Sequence, residues 1–440
     1  MSTLALAGAA LLAVLLGAHA VYWGVVHWRT RRAAASLPSV RSGLDVPEPE
    51  GGWPSVTLII PAYNEERVIE ACARGVQGRD YPNLEILFVL DRCTDRTAAL
   101  LAPYAAEDDR IRVIEVEECP DGWKGKPHAL HVGCLQAAGD WLLFADADTS
   151  FGPGLVRAAV GQALERKLHL LSLITDLSFE HWFERVAQPV AGLRLMRLFA
   201  PDKVQRGTQP FANGQFILIQ RDMYDRFGGH RTVRTHLMED LAIAYAVHAQ
   251  GGRGGIALAD GMLGCSMYGS YEAFRAGWKR IFIGSAGYRV DRMLSYGRRQ
   301  LVQALFPLVQ LTALAATGLA WAADHTGWAA FLGALVALDL LLQGRGLLRI
   351  YRLIGAPLSA ILLYPAGCWI LGGILLEGAR DLVEERPVRW GGLEHKLKGR
   401  RFDAPGCAYP TTPVPDPPGR RDAARTSASG AHPPSGSAGS

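Results

Sequence analysis

Four long apolar stretches frame this chain, and between them the apolar residues alternate between strand-like and helix-like periods. Leu4 to Trp28 carries no Asp, Glu, Lys or Arg. At 1.5 Å per residue, about 20 such residues cross the ~30 Å hydrocarbon core of a bilayer, so residues 1–30 are expected to form a transmembrane anchor. Ala18-His19-Ala20 mimics a signal-peptidase site, but nothing basic precedes the run, and Arg29, Arg31 and Arg32 follow it. That arrangement predicts an uncleaved anchor whose C-terminal side faces the cytoplasm. Further apolar runs at Leu301–Ala323, Gly327–Leu342 and Leu358–Leu376 predict a C-terminal membrane block over 301–376. Arg298 and Arg299 before the second run, and Arg345, Arg349 and Arg352 after the third, suggest a hairpin returning to the cytoplasm. A full fourth crossing would put the basic segment Arg386 to Arg401 outside, while Pro365 and Gly367 suit a re-entrant element instead; both readings stand at this level.

The middle, residues 51–297, is long enough for one sizeable core. Ser55 to Pro61 and Leu84 to Leu90 read as buried strands, followed by strands at Ile111–Val116 and Trp141–Ala145. Helical patterns fall between them, at Glu65–Gln77, Thr97–Tyr104 and Lys126–Ala138. Strand and helix alternating at this spacing predict an α/β domain with a mostly parallel sheet, which binds ligands beyond the carboxyl ends of its strands.

Composition sharpens this picture. Of 440 residues only 20% are charged, against about 25% in ordinary soluble proteins, because charge is nearly absent from the apolar runs. A net charge of +4 with no basic stripe gives no case for nucleic acid. Seven cysteines without a C-x-x-C pair indicate neither a disulfide framework nor a zinc site. Residues 403–440, rich in Pro, Gly, Ser and Ala, bury too little surface to fold and are expected to be a disordered tail.

The strand ends carry the chemistry. Asn64 and Glu65 follow the first strand, Asp91 the second, and Asp146 and Asp148 the fourth. Residues i and i+2 of an extended segment share a face, so Asp146 and Asp148 suit a hard divalent ion, Mg²⁺ or Mn²⁺, that would neutralise a diphosphate. Neither G-x-x-x-x-G-K-[ST] nor a strand followed by G-x-G-x-x-G occurs. Lys124 and Lys126 could reach phosphates, and Glu239 and Asp240 fall in the first turn of a predicted helix. Acids at such positions also serve turns and helix dipoles; the convergence of three strand ends is what favours a site.

Pro61-Ala-Tyr-Asn-Glu65, Asp91 with Asp95, Asp146-Ala-Asp148, Asn213-Gly-Gln-Phe216, Tyr224 with Gly228-Gly-His230, and Glu239-Asp240 occur in the order found in family 2 glycosyltransferases. The chain resembles that family over nearly all of its middle. Trp123-Lys-Gly-Lys126, Ser266-Met-Tyr268 and Gly277-Trp-Lys-Arg280, framed by membrane runs, resemble the membrane-bound branch that glycosylates bacterial lipids, including the hopene-associated and carotenoid glycosyltransferases. The resemblance implies a GT-A fold, a UDP- or GDP-sugar donor and a divalent metal. It implies that Pro61, Ala62, Tyr63, Asn64, Glu65, Asp91, Lys126 and Asp146 hold the nucleotide sugar and that Asp146 and Asp148 hold the metal. Asp240 would be the general base with Glu239 beside it, and the anomeric configuration would invert. Two departures stand out. Arg92 occupies a position where many relatives have a second Asp, and Arg275-Ala-Gly-Trp278-Lys-Arg280 replaces the Q-x-x-R-W of processive polysaccharide synthases.

Phe274, Trp278, Ile281, Phe282 and Ser285 form a largely apolar stripe on a helix predicted near 271–286. With basic residues at its edges it suits an interfacial helix, although packing on the domain core gives the same stripe. Trp278, Lys279 and Arg280 are therefore expected at the acceptor and membrane interface. The combined expectation is a multi-pass protein of the cell inner membrane with a cytoplasmic catalytic domain, moving one sugar to a hydroxyl of a hopanoid, carotenoid or sphingolipid-like lipid. A polysaccharide or polyprenyl-phosphate-sugar synthase and a non-catalytic membrane scaffold are the alternatives.

Overall fold

The computed structural model describes residues 3–77, 81–236, 238–390 and 393–396. The tail expected over 403–440, and much of the basic segment ending at Arg401, lie outside the described residues.

Ten strands build the middle: β1 (Val56–Ala62), β2 (Leu84–Asp91), β3 (Ile111–Val116), β4 (Trp141–Ala145), β5 (Thr149–Phe151), β6 (Leu170–Ile174), β7 (Asp176–Leu177), β8 (Phe216–Gln220), β9 (Gly254–Leu258) and β10 (Leu263–Cys265). Seven form one sheet in the order β3-β2-β1-β4-β8-β6-β9. β1 pairs in parallel with β2 and β4, and β6 with β9, while β8 runs antiparallel between β4 and β6. The sheet is thus mostly parallel, as expected, with one reversed strand. Both faces are covered, which is why its strands read as continuous apolar runs. Leu58, Ile60, Phe88 and Leu143 point to one core, with the helices Ile69–Gln77 and Leu155–Glu165. Ile59, Leu87, Val89 and Phe144 point to the other, with the helices Gly125–Gln136 and Glu239–Ala249.

Of the helices predicted between the strands, the second runs on to Glu107 and the third spans Gly125–Gln136, and the first shifts most. The helix expected from Glu65 starts at Ile69. The amide N–H groups of Glu65 and Glu66 donate instead to Thr97 Oγ1 and Asp95 Oδ2, at 2.9 and 3.0 Å, which holds residues 65–68 as a turn beside the second strand end.

Among the described residues, four helical segments are long and apolar enough to cross a membrane: Thr3–Ser36, Val290–Ala322, Thr326–Leu353 and Leu358–Val383. In the last, a 3-10 turn at Leu358–Leu363 leads into the helix Tyr364–Val383. Pro365 lies in the first helical turn, where its missing N–H costs nothing, so it starts the helix rather than breaking it. A Cβ at Gly367 would lie 2.1 Å from the carbonyl oxygen of Val186, so this glycine seats the helix Trp182–Leu198 against the fourth segment.

The Tyr271–Ser285 helix corrects one expectation. Phe274, Trp278 and Phe282 are buried among Phe183, Val190, Leu371 and Leu375. The apolar stripe faces protein rather than lipid headgroups. Lys279 binds Glu377 and Asp381 of the last helix at 2.9 and 2.5 Å, which ties the helix to the membrane block and removes Lys279 from the expected acceptor surface.

Candidate active site

The carboxyl ends of β1, β2 and β4 meet the start of the Glu239–Ala249 helix at one rim. Asp146 leaves β4, and Thr149 donates through its N–H and Oγ to the Asp146 carbonyl, closing a tight turn into β5. β5 then pairs with β10, and just after β10 the Ser266 N–H donates to the Asp148 carbonyl at 3.3 Å. The turn points both carboxylates toward the same rim.

The acids are short of cations. Burial, with Asp146 beside it, pushes Asp148 up to about 7, and Asp148 Oδ1 is buried without a hydrogen-bond partner among the described residues. Burial followed by Asp148, Asp146 and Asp95 pushes Glu65 up to about 7 as well. An orphaned carboxylate oxygen in a negative pocket is a fit for a hard divalent cation. No group of three or more His, Cys, Asp or Glu side chains among the described residues could hold a metal ion. The pair Asp146 and Asp148 would therefore be completed by substrate phosphate and water, as Mg²⁺-type sites commonly are.

Lys126, expected to reach phosphates, stands between two acids. Its Nζ lies 2.6 Å from Asp146 Oδ1 and 3.0 Å from Glu239 Oε1. Burial disfavours the charged amine, but Asp146 and Glu239 outweigh it and hold its basicity above the usual range. A Cβ at Gly214 would stand 3.1 Å from Nζ and 3.4 Å from Asp240 Oδ2, so the glycine of Asn213-Gly-Gln-Phe216 leaves room for both side chains.

Asp240 is held in place by the backbone. Leu241 N–H donates to its Oδ1 at 2.7 Å and Gly214 N–H to its Oδ2 at 3.0 Å. Burial, then Glu239, pushes its carboxyl up to about 7 against the pull of Lys126. A carboxylate poised near neutrality and fixed by two N–H groups suits a general base.

The expected nucleotide residues divide. Glu65 joins the acids. Asn64, at φ +55°, accepts from the N–H groups of Thr94 and Asp95, and so fastens the β1 loop to the β2 loop. Asp91 is buried and takes a two-pronged ion pair from Arg92, at 2.8 and 2.7 Å. The Arg92 guanidinium also lies 5.5 Å from the Tyr63 ring centre. The substituted Arg therefore neutralises the neighbouring Asp and leaves a flat, cationic platform beside Tyr63. Its pairing depends on a left-handed backbone at Arg92, φ +50°, which spacing alone does not reveal.

A cavity of about 240 Å³ joins the acids to the end of the apolar helix Thr326–Leu353. Lys126, Asp146, Glu239 and Asp240 line one part of it, and Leu195, Met196, Phe199, Trp278, Ile281, Leu353 and Ile354 another. Trp278 and Arg280 line this cavity, and so does the Trp182–Leu198 helix through Gln188, Leu195 and Met196. A larger cavity of about 630 Å³ opens at the far end of the Glu239–Ala249 helix among Arg166, Lys167, His248 and Arg253. It holds none of the site acids, so the chemistry is assigned to the smaller one.

The family model described as Glycosyl transferase family 2 matches residues 57–228. The 4,4'-diaponeurosporenoate glycosyltransferase of Staphylococcus aureus (strain MRSA252) is 28% identical over 204 residues, covering 44% of this chain and 52% of that protein. The chain thus spans about half the length of the curated relatives it matches. A solved mannosyltransferase from Pyrobaculum calidifontis, in complex with GDP-Man and Mn2+, is similar over 85% of this chain and 99% of its own, with a TM-score of 0.52 and 19% identity. That likeness shows a shared GT-A fold.

Proposed function

The chain carries a family 2 glycosyltransferase domain over residues 57–228, and from that premise we propose that it transfers one sugar from a UDP- or GDP-sugar to a hydroxyl of a membrane lipid, with inversion. The observation that carries this reading is the cavity in which Asp146, Glu239 and Asp240 share a wall with Leu353 and Ile354 at the end of an apolar helix. A hydroxyl on a water-soluble sugar would need no such lining. The names of the Staphylococcus aureus relatives, glycosyltransferases of 4,4'-diaponeurosporenoate, support a carotenoid-type or similarly apolar acceptor. The GDP-Man and Mn2+ held by the Pyrobaculum calidifontis enzyme support a nucleotide sugar and a divalent ion.

In this mechanism Asp240 Oδ accepts the proton of the acceptor hydroxyl as its oxygen attacks the anomeric carbon. The bond from that carbon to the diphosphate breaks on the opposite side, and one displacement inverts the configuration. Leu241 and Gly214 N–H groups keep Asp240 aimed during the transfer. Lys126 balances Asp146 and Glu239 and is close enough to follow the diphosphate charge as it develops. Asp146 and Asp148 would hold the divalent ion, which when bound supplies charge stabilisation to the leaving diphosphate. Tyr63 and Arg92 offer a stacking and cationic surface for the base.

Anchoring at both ends of the catalytic domain, through Thr3–Ser36 and the three later segments, would hold this cavity at the bilayer surface on the cytoplasmic side. Positioning of that kind removes several kcal/mol from a barrier, since effective molarities correspond to about 7–11 kcal/mol at best. The test is incubation of the full-length protein in lipid nanodiscs with a panel of radiolabelled nucleotide sugars, Mn²⁺ and extracted bacterial lipids. A labelled lipid one sugar heavier is expected. A labelled polymer would overturn the single-sugar reading, and label in neither lipid nor polymer would overturn the lipid acceptor.

A further inference from the structure

The cavity of about 630 Å³ at the far end of the Glu239–Ala249 helix takes no part in the chemistry above, and its walls carry a surplus of cations. Arg166, Lys167, Arg206 and Arg253 line it against a single acid, Glu165. Arg206 pairs with Asp202 at 2.9 Å, but among the described residues no carboxylate comes within ion-pair distance of the other three. Arg166 is half-buried and is oriented by neutral oxygens: its Nη1 donates to Gln162 Oε1 at 3.0 Å and its Nη2 to Gln205 Oε1 at 2.5 Å. Burial, and then the repulsion of Arg253, hold its guanidinium below the usual range. The segment Gly251-Gly-Arg-Gly-Gly255 shapes this wall. Gly251 takes φ +72°, and a Cβ at Gly255 would lie 2.7 Å from Arg166 Nη2, so that glycine leaves the guanidinium its place.

Cations after a helix commonly answer its dipole, and Arg166 and Arg253 do follow the helices Leu155–Glu165 and Glu239–Ala249. Here the backbone already caps both ends. The carbonyls of Ala246, Val247 and His248 accept from the N–H groups of Gln250, Gly252 and Gly251, and those of Gln162 and Ala163 accept from Arg166 and Leu168. About half a negative charge at each helix end does not cancel three cations set against one carboxylate. Guanidinium forks and an ammonium group match phosphate oxygens. We infer that this cavity is a second binding site, for a ligand with a doubly charged phosphate group, held by Arg166, Lys167 and Arg253. A phosphomonoester carries about −1.5 to −2 at pH 7, which answers the surplus. A lipid headgroup and a free phosphate ester both offer that chemistry. Val204 of the cavity wall packs with Leu37, the residue after the Thr3–Ser36 helix, so the site stands beside the expected anchor as well as being open to solutes.

The experiment uses the full-length protein in EDTA, where the acids around Asp148 repel anions from the catalytic cavity. One arm titrates sn-glycerol 3-phosphate into the protein in phosphatidylcholine nanodiscs, read by calorimetry. The other counts phosphatidic acid against phosphatidylcholine retained on the detergent-solubilised protein, by native mass spectrometry. Lys167→Gln combined with Arg253→Gln removes two exposed charges and leaves the core untouched; Arg166→Gln removes the half-buried one. Both variants keep the arginines beside the membrane segments, so acidic lipid held there does not change. The double variant is expected to weaken binding of at least one probe by about tenfold or more, because hydrogen bonds to charged groups are the strong ones, and Arg166→Gln to do the same. A loss in the first arm alone assigns a soluble phosphate ester, a loss in the second alone a lipid headgroup, and a loss in both the phosphate group they share. Neither probe bound by the unaltered protein, or binding unchanged in both variants, overturns the inference. Sugar transfer to lipid stands or falls separately, since Asp240 and its cavity play no part in this site.

Discussion

Asp240 is the residue on which the proposed chemistry turns, and its surroundings make two outcomes expected. Asp240→Asn keeps the shape and loses the basic oxygen, so transfer should fall by about 10²- to 10⁴-fold, while donor binding measured by calorimetry stays within a factor of two; a variant that turns over normally would remove the base assignment. The second outcome is a pH profile. Only the ionised carboxylate can take the proton, and burial beside Glu239 places its titration at about 7. The kcat/KM for transfer should therefore climb from pH 5.5 to 8.5 with its half-point near 7, and a flat profile contradicts the role. Asp148 makes a separate case: Asp148→Ala should weaken Mn²⁺-dependent donor binding by tenfold or more, and unchanged binding would count against the metal pair. The paired acids were legible in the sequence because two-residue spacing after a strand and adjacency at a helix start are local facts, but a turn at residues 147–148, not the extended segment expected, brings Asp146 and Asp148 together. The role of Gly214 was not, since its N–H meets Asp240 only after β8 reverses direction across β4. For the same reason Arg92 could be noticed as a departure but not recognised as the partner of Asp91.

Among the elements, periodicity located the first four strands to within a residue or so, because both sheet faces are buried and the apolar runs have little freedom to slip, whereas β5 to β10 were not predicted. It located the Tyr271–Ser285 helix equally well and said nothing about what covers it. An apolar stripe is the same for a lipid headgroup and for Phe183 and Leu371, and here the protein covers it. The short 3-10 turn Val40–Asp45 was not legible at all. It joins the Thr3–Ser36 helix to the domain through close contact with the Leu155–Glu165 helix. A Cβ at Gly43 would stand 1.8 Å from the Ala158 carbonyl oxygen, and one at Gly161 would stand 2.3 Å from the Gly43 carbonyl oxygen. Pro38 and Ser39 then run beside β9, whose Leu258 N–H donates to the Pro38 carbonyl, so the same strap also covers the sheet edge. Gly43→Ala has only backbone to push against and should lower stability by about 1–3 kcal/mol. Gly51→Ala, with no atom within 4 Å of its Cβ, is the control. Thermal unfolding in detergent reads the difference, and equal midpoints for the two variants would show that the strap yields without cost.

At the scale of the whole molecule, the question is what holds the N-terminal helix to the three later ones, since apolar surface gives little preference for a neighbouring helix over lipid. Asp339 lies inside the apolar run Gly327–Leu342, where hydropathy averages hide it, and it is fully buried. His19 Nδ1 lies 2.7 Å from Asp339 Oδ1 and its Nε2 lies 3.2 Å from Gln303 Oε1. Gln310 donates to Asp339 Oδ2 at 2.8 Å, and the His19 ring stacks on Phe306 at 3.5 Å. One polar cluster thus joins three of the four apolar helices, through side chains 320 residues apart. Such groups are expensive among apolar helices unless they are paired. Removing one member should therefore cost more than removing both. His19→Leu or Asp339→Leu alone is expected to lower stability by about 3–5 kcal/mol, through the partner left behind. The double variant should recover part of that loss, because two leucines fill the space without an unpaired group. The readout is the thermal midpoint in detergent with a nucleotide-sugar turnover assay beside it. Losses that simply add in the double variant would show that the two side chains act apart, and that something other than this cluster fixes the N-terminal helix against the three later ones.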